Sequence, residues 1–240
     1  MSGGRLRFWS AVATAIAAAA AFGVAITTPP RSGPFCVSPC VTYPYTAVAS
    51  FVPRDYIWMY PALLVAPAFV VLVACVNDFA GERGRVLGQL ALICASMATV
   101  LITADYFIQL TVMQPSLLKG ETEGLSPFSQ YNPHGVFIAL EDAGYLVMAL
   151  GFLFAGELLG GASRLERMTR WVFITGAVAA MAALIGLSVI YGADLEYRFE
   201  VAVLSIDWLV LIATGILLSV LFRPRAARSK PGLRIVGGSR

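Results

Sequence analysis

Two adjacent carboxylates interrupt one of the most apolar stretches of the chain. Glu141 and Asp142 stand in ALEDAGYL, residues 139–146, with aliphatic residues on both sides. Asp105 and Asp207 interrupt two other apolar stretches in the same way. A charge inside a membrane costs several kcal/mol unless it is paired, protonated or hydrated, so such side chains face the interior of a helical bundle or a wet cavity. These acids are therefore the first candidates for a functional site.

Polar neighbours recur at helical spacing around two of these acids. Gln109 lies four residues after Asp105, and Tyr145 lies four residues after Glu141, so each pair shares one face of a helix. We predict that these faces meet in one acidic, ligand-binding pocket. The predicted pocket residues are Asp105, Gln109, Glu141, Asp142, Tyr145 and Asp207.

The acids also share a depth. Counted along the helix axis, Asp105, Glu141 and Asp207 each lie about 9–11 Å from the helix end that carries the longer loops. Asp142 is turned about 100° from Glu141, so one of the two faces the pocket while the other meets an adjacent helix. Glu200 shares a helix face with Asp207 but precedes the predicted apolar segment.

Crowded carboxylates in an apolar setting suit proton-coupled transport, binding of an organic cation, or acid–base chemistry on a lipid. The leading hypothesis is that the pocket binds or transports a small cationic or amphipathic molecule. A membrane-embedded enzyme acting on lipid or envelope precursors is one alternative. The other is an accessory or assembly subunit whose acids snorkel outward, pair with Arg54 or Arg198, or hold helices together.

Other chemistries have little support in the sequence. His134, in YNPHG, is the only histidine, which argues against a histidine-rich metal site or bis-histidine haem within one chain. It is either a loop or helix-start residue or a member of the pocket. The chain contains neither a G-x-x-x-x-G-K-[ST] phosphate loop nor a G-x-S-x-G serine motif. We therefore predict no cofactor and no metal.

The composition indicates which elements position these residues. The chain is 58% hydrophobic and 13% charged with a mean hydropathy of +0.77, whereas a soluble domain has about a quarter of its residues charged. Crossing a hydrocarbon core takes about 20 apolar residues in a helix. We predict an all-α integral membrane protein, a six-transmembrane-helix bundle forming a single domain over residues 1–240. The six segments lie at about 8–28, 57–77, 86–113, 135–159, 171–192 and 201–222.

The basic residues predict the orientation. If both termini are cytoplasmic, 13 of the 17 Lys and Arg residues fall on the inner side and four outside, namely Arg31, Arg54, Lys119 and Arg198. We therefore expect a bacterial plasma (inner) membrane protein whose basic tail, 223–240, anchors the topology and touches anionic lipid. The expected partners are membrane lipids, a small-molecule ligand and a second copy of the chain, and not nucleic acid. The first segment is read as a retained helix rather than a cleaved signal, because its apolar run exceeds a signal core.

Two long connections, residues 29–56 and 114–134, fall on the predicted outer side and are expected to cap a cavity or bind something. Cys36 and Cys40 lie in the first of them, within PFCVSPC. We predict a structural disulfide between Cys36 and Cys40, which an oxidising compartment outside the membrane allows. Free thiols and a redox pair remain as alternatives, although redox pairs favour two intervening residues rather than three.

Overall fold

The computed structural model describes residues 3–82 and 84–223, and all of the regular structure in these ranges is helical. Six of the described helices are long and apolar enough to cross a membrane, which confirms the predicted all-helical structure and the number of segments. Most of the predicted basic tail, from residue 224 onward, lies outside the described residues. The helices are α1 (Gly3–Ala25), α2 (Met59–Ala80), α3 (Arg85–Ile108), the short α4 (Gln114–Lys119), α5 (Val136–Glu157), α6 (Arg164–Tyr191) and α7 (Tyr197–Leu221).

Some helices begin or end at residues other than those predicted from the apolar segments, because polar capping groups set the helix ends. Helix α6 begins before the predicted residue 171, because the Ser163 hydroxyl accepts a hydrogen bond from the Glu166 backbone N–H at 3.1 Å. The Glu166 carboxylate in turn accepts the backbone N–H of Ala162 at 3.1 Å. The capping residues therefore allow a charged first turn to be helical, which an apolar-run criterion does not detect.

The predicted third helix is not a single α-helix. Its α-helical part ends at Ile108, and a π-helical turn over Gln109–Met113 leads into α4. This wider turn comes just before Pro115, which has no backbone N–H to continue the α-helical hydrogen bonds. The helical chain therefore continues through this turn to Lys119, where the second long connection leaves it.

The six long helices pack as a closed ring in the order α1, α2, α3, α5, α6, α7, and α7 returns to α1. Helices α5 and α7 also contact each other, so the two helices that carry Glu141 and Asp207 are neighbours. Small residues permit the close approaches. A Cβ on Gly215 of α7 would lie 2.8 Å from the Ala11 carbonyl oxygen of α1, and one on Gly176 of α6 would lie 2.3 Å from Val210 of α7.

The long connections gather at one end of the bundle, which we call the loop end. The Ser32 hydroxyl of the first connection donates to the Tyr131 carbonyl at 2.7 Å and lies 2.8 Å from the Tyr197 hydroxyl of α7. A disulfide joins Cys36 to Cys40 in the same connection. Hydrogen bonds thus hold both long connections and the start of α7 together over the helix ends.

Candidate functional site

A buried chain of hydrogen bonds surrounds Glu141, whose side chain is fully buried on α5. The Tyr106 hydroxyl of α3 donates to Glu141 Oε1. The same hydroxyl lies 3.0 Å from the Tyr145 hydroxyl, which accepts the indole N–H of Trp208 from α7 at 3.0 Å. Three helices therefore contribute to one polar network in the bundle interior.

Glu200, in the first turn of α7, brings a second carboxyl group to Glu141. The two carboxyl groups lie close enough to interact electrostatically, and Glu141 Oε2 has no hydrogen-bond partner among the described residues. Two like charges about 4 Å apart repel by about 4 kcal/mol at an effective dielectric constant of about 20. A proton shared between the two groups, or a cation beside them, removes this repulsion. The pair is therefore suited to exchange one for the other.

Two of the predicted acids stand around this pair. Asp105 is buried on α3, Asp142 is half-buried on α5, and both lie close enough to act electrostatically on Glu200. Asp105 Oδ2 and Asp142 Oδ1 have no hydrogen-bond partner among the residues that the structure describes. The structure therefore brings Asp105, Glu141, Asp142 and Tyr145 together, with Glu200 added.

Of the remaining two predicted residues, Gln109 has other surroundings, whereas Asp207 lies close enough to Tyr145 of the network to act on it electrostatically. The side-chain amide of Gln109 donates to the Phe128 carbonyl at 2.6 Å, so it attaches α3 to the second connection and contacts no carboxylate through that bond. Asp207 is fully buried, and neither carboxylate oxygen has a hydrogen-bond partner within the described ranges. It lies seven residues, or about 10 Å, further along α7 than Glu200.

Glu200 is not among the predicted pocket residues, and the predicted sixth segment begins one residue after it, at 201. The observed helix begins at Tyr197, so Glu200 is inside it. One signal was available, since Glu200 and Asp207 share a helix face. The sequence pattern does not predict that this face of α7 packs against Glu141.

An open cleft of about 450 Å³ lies beside the buried network, between the end of α1, the two long connections and the loop-end half of α7. Glu200 and Trp208 line it, so the cleft and the network share a wall. Aromatic rings supply much of the remaining lining. They are Phe22, Phe35, Trp58, Tyr131, Tyr197 and Trp208.

A second charged group of the cleft is centred on Asp55, which is only 1% exposed. Its carboxylate accepts Arg31 Nε at 2.9 Å and the Tyr131 hydroxyl at 3.3 Å, and Arg54 lies 3.7 Å away. The hydrogen bond that Arg31 donates to Asp55 raises the pKa of Arg31, and burial raises the pKa of Tyr131, which stays a neutral donor. The Arg31 guanidinium also stacks 4.1 Å from the centroid of the Phe51 ring. Two arginines around one aspartate leave this group with one net positive charge.

Histidine and cysteine lie outside the carboxylate network. The His134 side chain is 60% exposed, and its Nε2 lies 3.8 Å from the Glu196 carboxylate. Cys75 is buried and Cys94 half-buried on their helices, with both thiols free. Over the residues that the structure describes, no three His, Cys, Asp or Glu side chains are arranged to hold a metal ion.

No family model, no curated protein and no solved structure matches this chain. Its function has to be argued from the cleft and the carboxylates themselves.

Proposed function

We propose that this protein binds a small amphipathic organic cation in the cleft and exchanges it for a proton held between Glu141 and Glu200. The proposal rests mainly on the location of Glu200 between the cleft and Glu141. This residue lines the cleft, and its carboxyl group also approaches the buried Glu141.

The lining of the cleft suits a cation with an apolar body. The faces of Trp and Tyr rings attract cations, by about 0.5–2 kcal/mol for each favourable contact. Trp58, Trp208 and Tyr197 provide such rings in the lining of the same cleft as Glu200. The same rings contact the apolar part of an amphipathic ligand, as in other small-molecule sites.

The exchange conserves charge. Without ligand, one proton lies between the two carboxyl groups, and the pair carries a single negative charge. When a cation enters beside Glu200, the proton leaves to the water of the cleft, and the cation balances the second negative charge. Cation and proton therefore compete, so cation affinity should rise with pH.

The proposed location is a bacterial plasma membrane with both termini in the cytoplasm. The 13-to-4 division of basic residues supports this orientation. The cleft then opens on the outer side of the membrane, since it lies at the loop end.

Fluorescence titration of the purified protein tests the binding. Trp58 and Trp208 line the cleft, whereas Trp9 and Trp171 stand near the opposite ends of α1 and α6. We expect saturable quenching by tetraphenylphosphonium, a lipophilic cation, and none by tetraphenylborate, an anion of the same shape. The substitution Glu200→Gln should lower the affinity for tetraphenylphosphonium about tenfold, because it removes an ion pair of about 1.4 kcal/mol.

The matched control is Glu123→Gln, which removes one negative charge from an exposed position in the second connection. This variant should bind as the wild type does. Equal binding of the two probes, or an unchanged affinity in Glu200→Gln, would contradict the proposal.

A further inference from the structure

The cleft holds a positive and a negative group on an apolar background. From this arrangement we infer that its physiological ligand is a zwitterionic phospholipid, with the phosphate at Arg31 and the ammonium at Glu200. This inference rests on the proposed function, because it takes the ammonium of the lipid to be the cation bound beside Glu200.

The phosphate end of the ligand is assigned by the arginines. Arg31 uses Nε and Nη2 for Asp55, and no hydrogen bond within the described ranges uses its Nη1. Arginine presents several N–H donors in a planar fork that matches phosphate oxygens. Arg54 is 52% exposed next to the same aspartate, so the group has one positive charge to offer an anion.

The ammonium end is assigned by Glu200 and the aromatic rings that line the same cleft. A carboxylate with aromatic faces around it is a typical setting for alkylammonium groups. Arg31 and Glu200 line the same cleft, so a ligand that carries both charges can satisfy both groups at once. A simple cation satisfies only Glu200, and a simple anion only Arg31.

The mouth of the cleft favours a lipid over a soluble zwitterion. Three apolar residues that line the cleft are exposed at the protein surface. The exposed fraction is 69% for Ile26, 48% for Val201 and 44% for Phe35. Glu200 lies three residues into α7, or about 4.5 Å below the helix start, which is the level of the headgroups. A headgroup can therefore enter the cleft while its acyl chains stay in the membrane.

The test measures lipid binding to the delipidated full-length protein in detergent by native mass spectrometry. Phosphatidylethanolamine should bind about tenfold more tightly than phosphatidylglycerol, which has the phosphate but no amine. In Glu200→Gln the two lipids should bind equally. Free phosphoethanolamine should bind much more weakly than the lipid; equal binding would assign the cleft to a soluble ligand and overturn the inference.

Arginine variants test the phosphate end. Arg31→Lys keeps the charge opposite Asp55 but loses the forked donors, and it should bind phosphatidylethanolamine severalfold more weakly. The double variant Arg31→Gln with Asp55→Asn removes both charges, leaves no unpaired carboxylate, and should bind it weakest. Arg198→Gln, which removes a positive charge at the loop end outside the cleft, is the control and should match the wild type.

Two outcomes separate this inference from the proposed function. If wild-type protein binds tetraphenylphosphonium but does not distinguish the two lipids, the lipid assignment is wrong and cation binding stands. If it binds neither the probe nor either lipid, both proposals fail. Unaltered lipid binding in the double variant would refute the role of Arg31.

Discussion

Glu141 lies among hydroxyl and carboxyl groups and has no basic side chain bonded to it in the part of the chain that is described. Tyr106 donates to one of its oxygens, and Glu200 approaches its carboxyl group. A buried carboxylate without a basic partner is costly unless it holds a proton or a cation. The residue-scale question is therefore whether Glu141 exchanges protons or only holds helices together.

Glu141→Gln should separate these roles. The amide oxygen can still accept the Tyr106 hydrogen bond, so the variant should fold with a melting temperature within a few degrees of wild type. It has no proton to exchange, so the rise of tetraphenylphosphonium affinity with pH that we expect of wild type should disappear. Titrations between about pH 5.5 and 8.5 would measure this.

A Glu141→Gln variant that keeps the wild-type pH dependence would place proton exchange elsewhere. If wild type itself shows no pH dependence, the buried acids act as structural groups and an accessory role becomes the better reading. Asp78→Asn, on a residue 67% exposed at the opposite end, controls for removal of a carboxylate in general.

Helices α1 and α7 both line the cleft, and they also approach closely away from it, seven residues beyond Trp208 on α7. Gly215 allows this approach, since a Cβ there would meet the Ala11 carbonyl oxygen at 2.8 Å. The Ala11 carbonyl oxygen is a backbone atom and cannot rotate away as a side chain can. The two helices would therefore have to separate. Gly186 on α6 has no neighbour within 4 Å of such a Cβ.

Gly215→Ala should therefore destabilise the protein by about 1–3 kcal/mol, the usual cost of an added group in a packed site. Gly186→Ala, with the same change in an open position, should be neutral or stabilising by up to about 1 kcal/mol through helix propensity. Thermal unfolding in detergent, followed by circular dichroism, compares the two. Equal shifts in melting temperature would show that α1 and α7 are not packed at Gly215.

The two ends of the helical bundle differ in the length of their connections and in the groups that lie there. The loop end carries both long connections and the cleft, whereas the opposite end has short connections with ion pairs. These are Arg7 with Asp78 at 2.6 Å and Arg170 with Glu157 at 2.7 Å. The orientation of the bundle therefore decides which compartment supplies the aqueous face of the cleft.

Cysteine labelling in intact cells tests this orientation. In a background with Cys75→Ala and Cys94→Ala, a membrane-impermeant maleimide should modify Glu121→Cys directly. Ala162→Cys, at the opposite end, should react only after the cells are permeabilised. The reverse pattern would turn the cleft toward the cytoplasm and contradict the proposed direction of ligand access.

The order of residues along the chain was enough to predict the helical structure, the six segments and the acids within them. These properties are local, because the hydrophobicity of about 20 consecutive residues decides whether a helix can span. Helical spacing also identified Tyr145 as a neighbour of Glu141. It could not define the helix ends, where capping groups and Pro115 act.

Which side chains meet depends on how the helices and loops pack against each other. The approach of Glu200 to Glu141 depends on how α5 and α7 are rotated about their axes. Gln109 donates to a loop carbonyl, and Asp55 accepts a hydrogen bond from Arg31, because the two long connections fold over the helix ends. Rotation and loop conformation result from contacts between segments far apart in the chain, and no local pattern of residues specifies them.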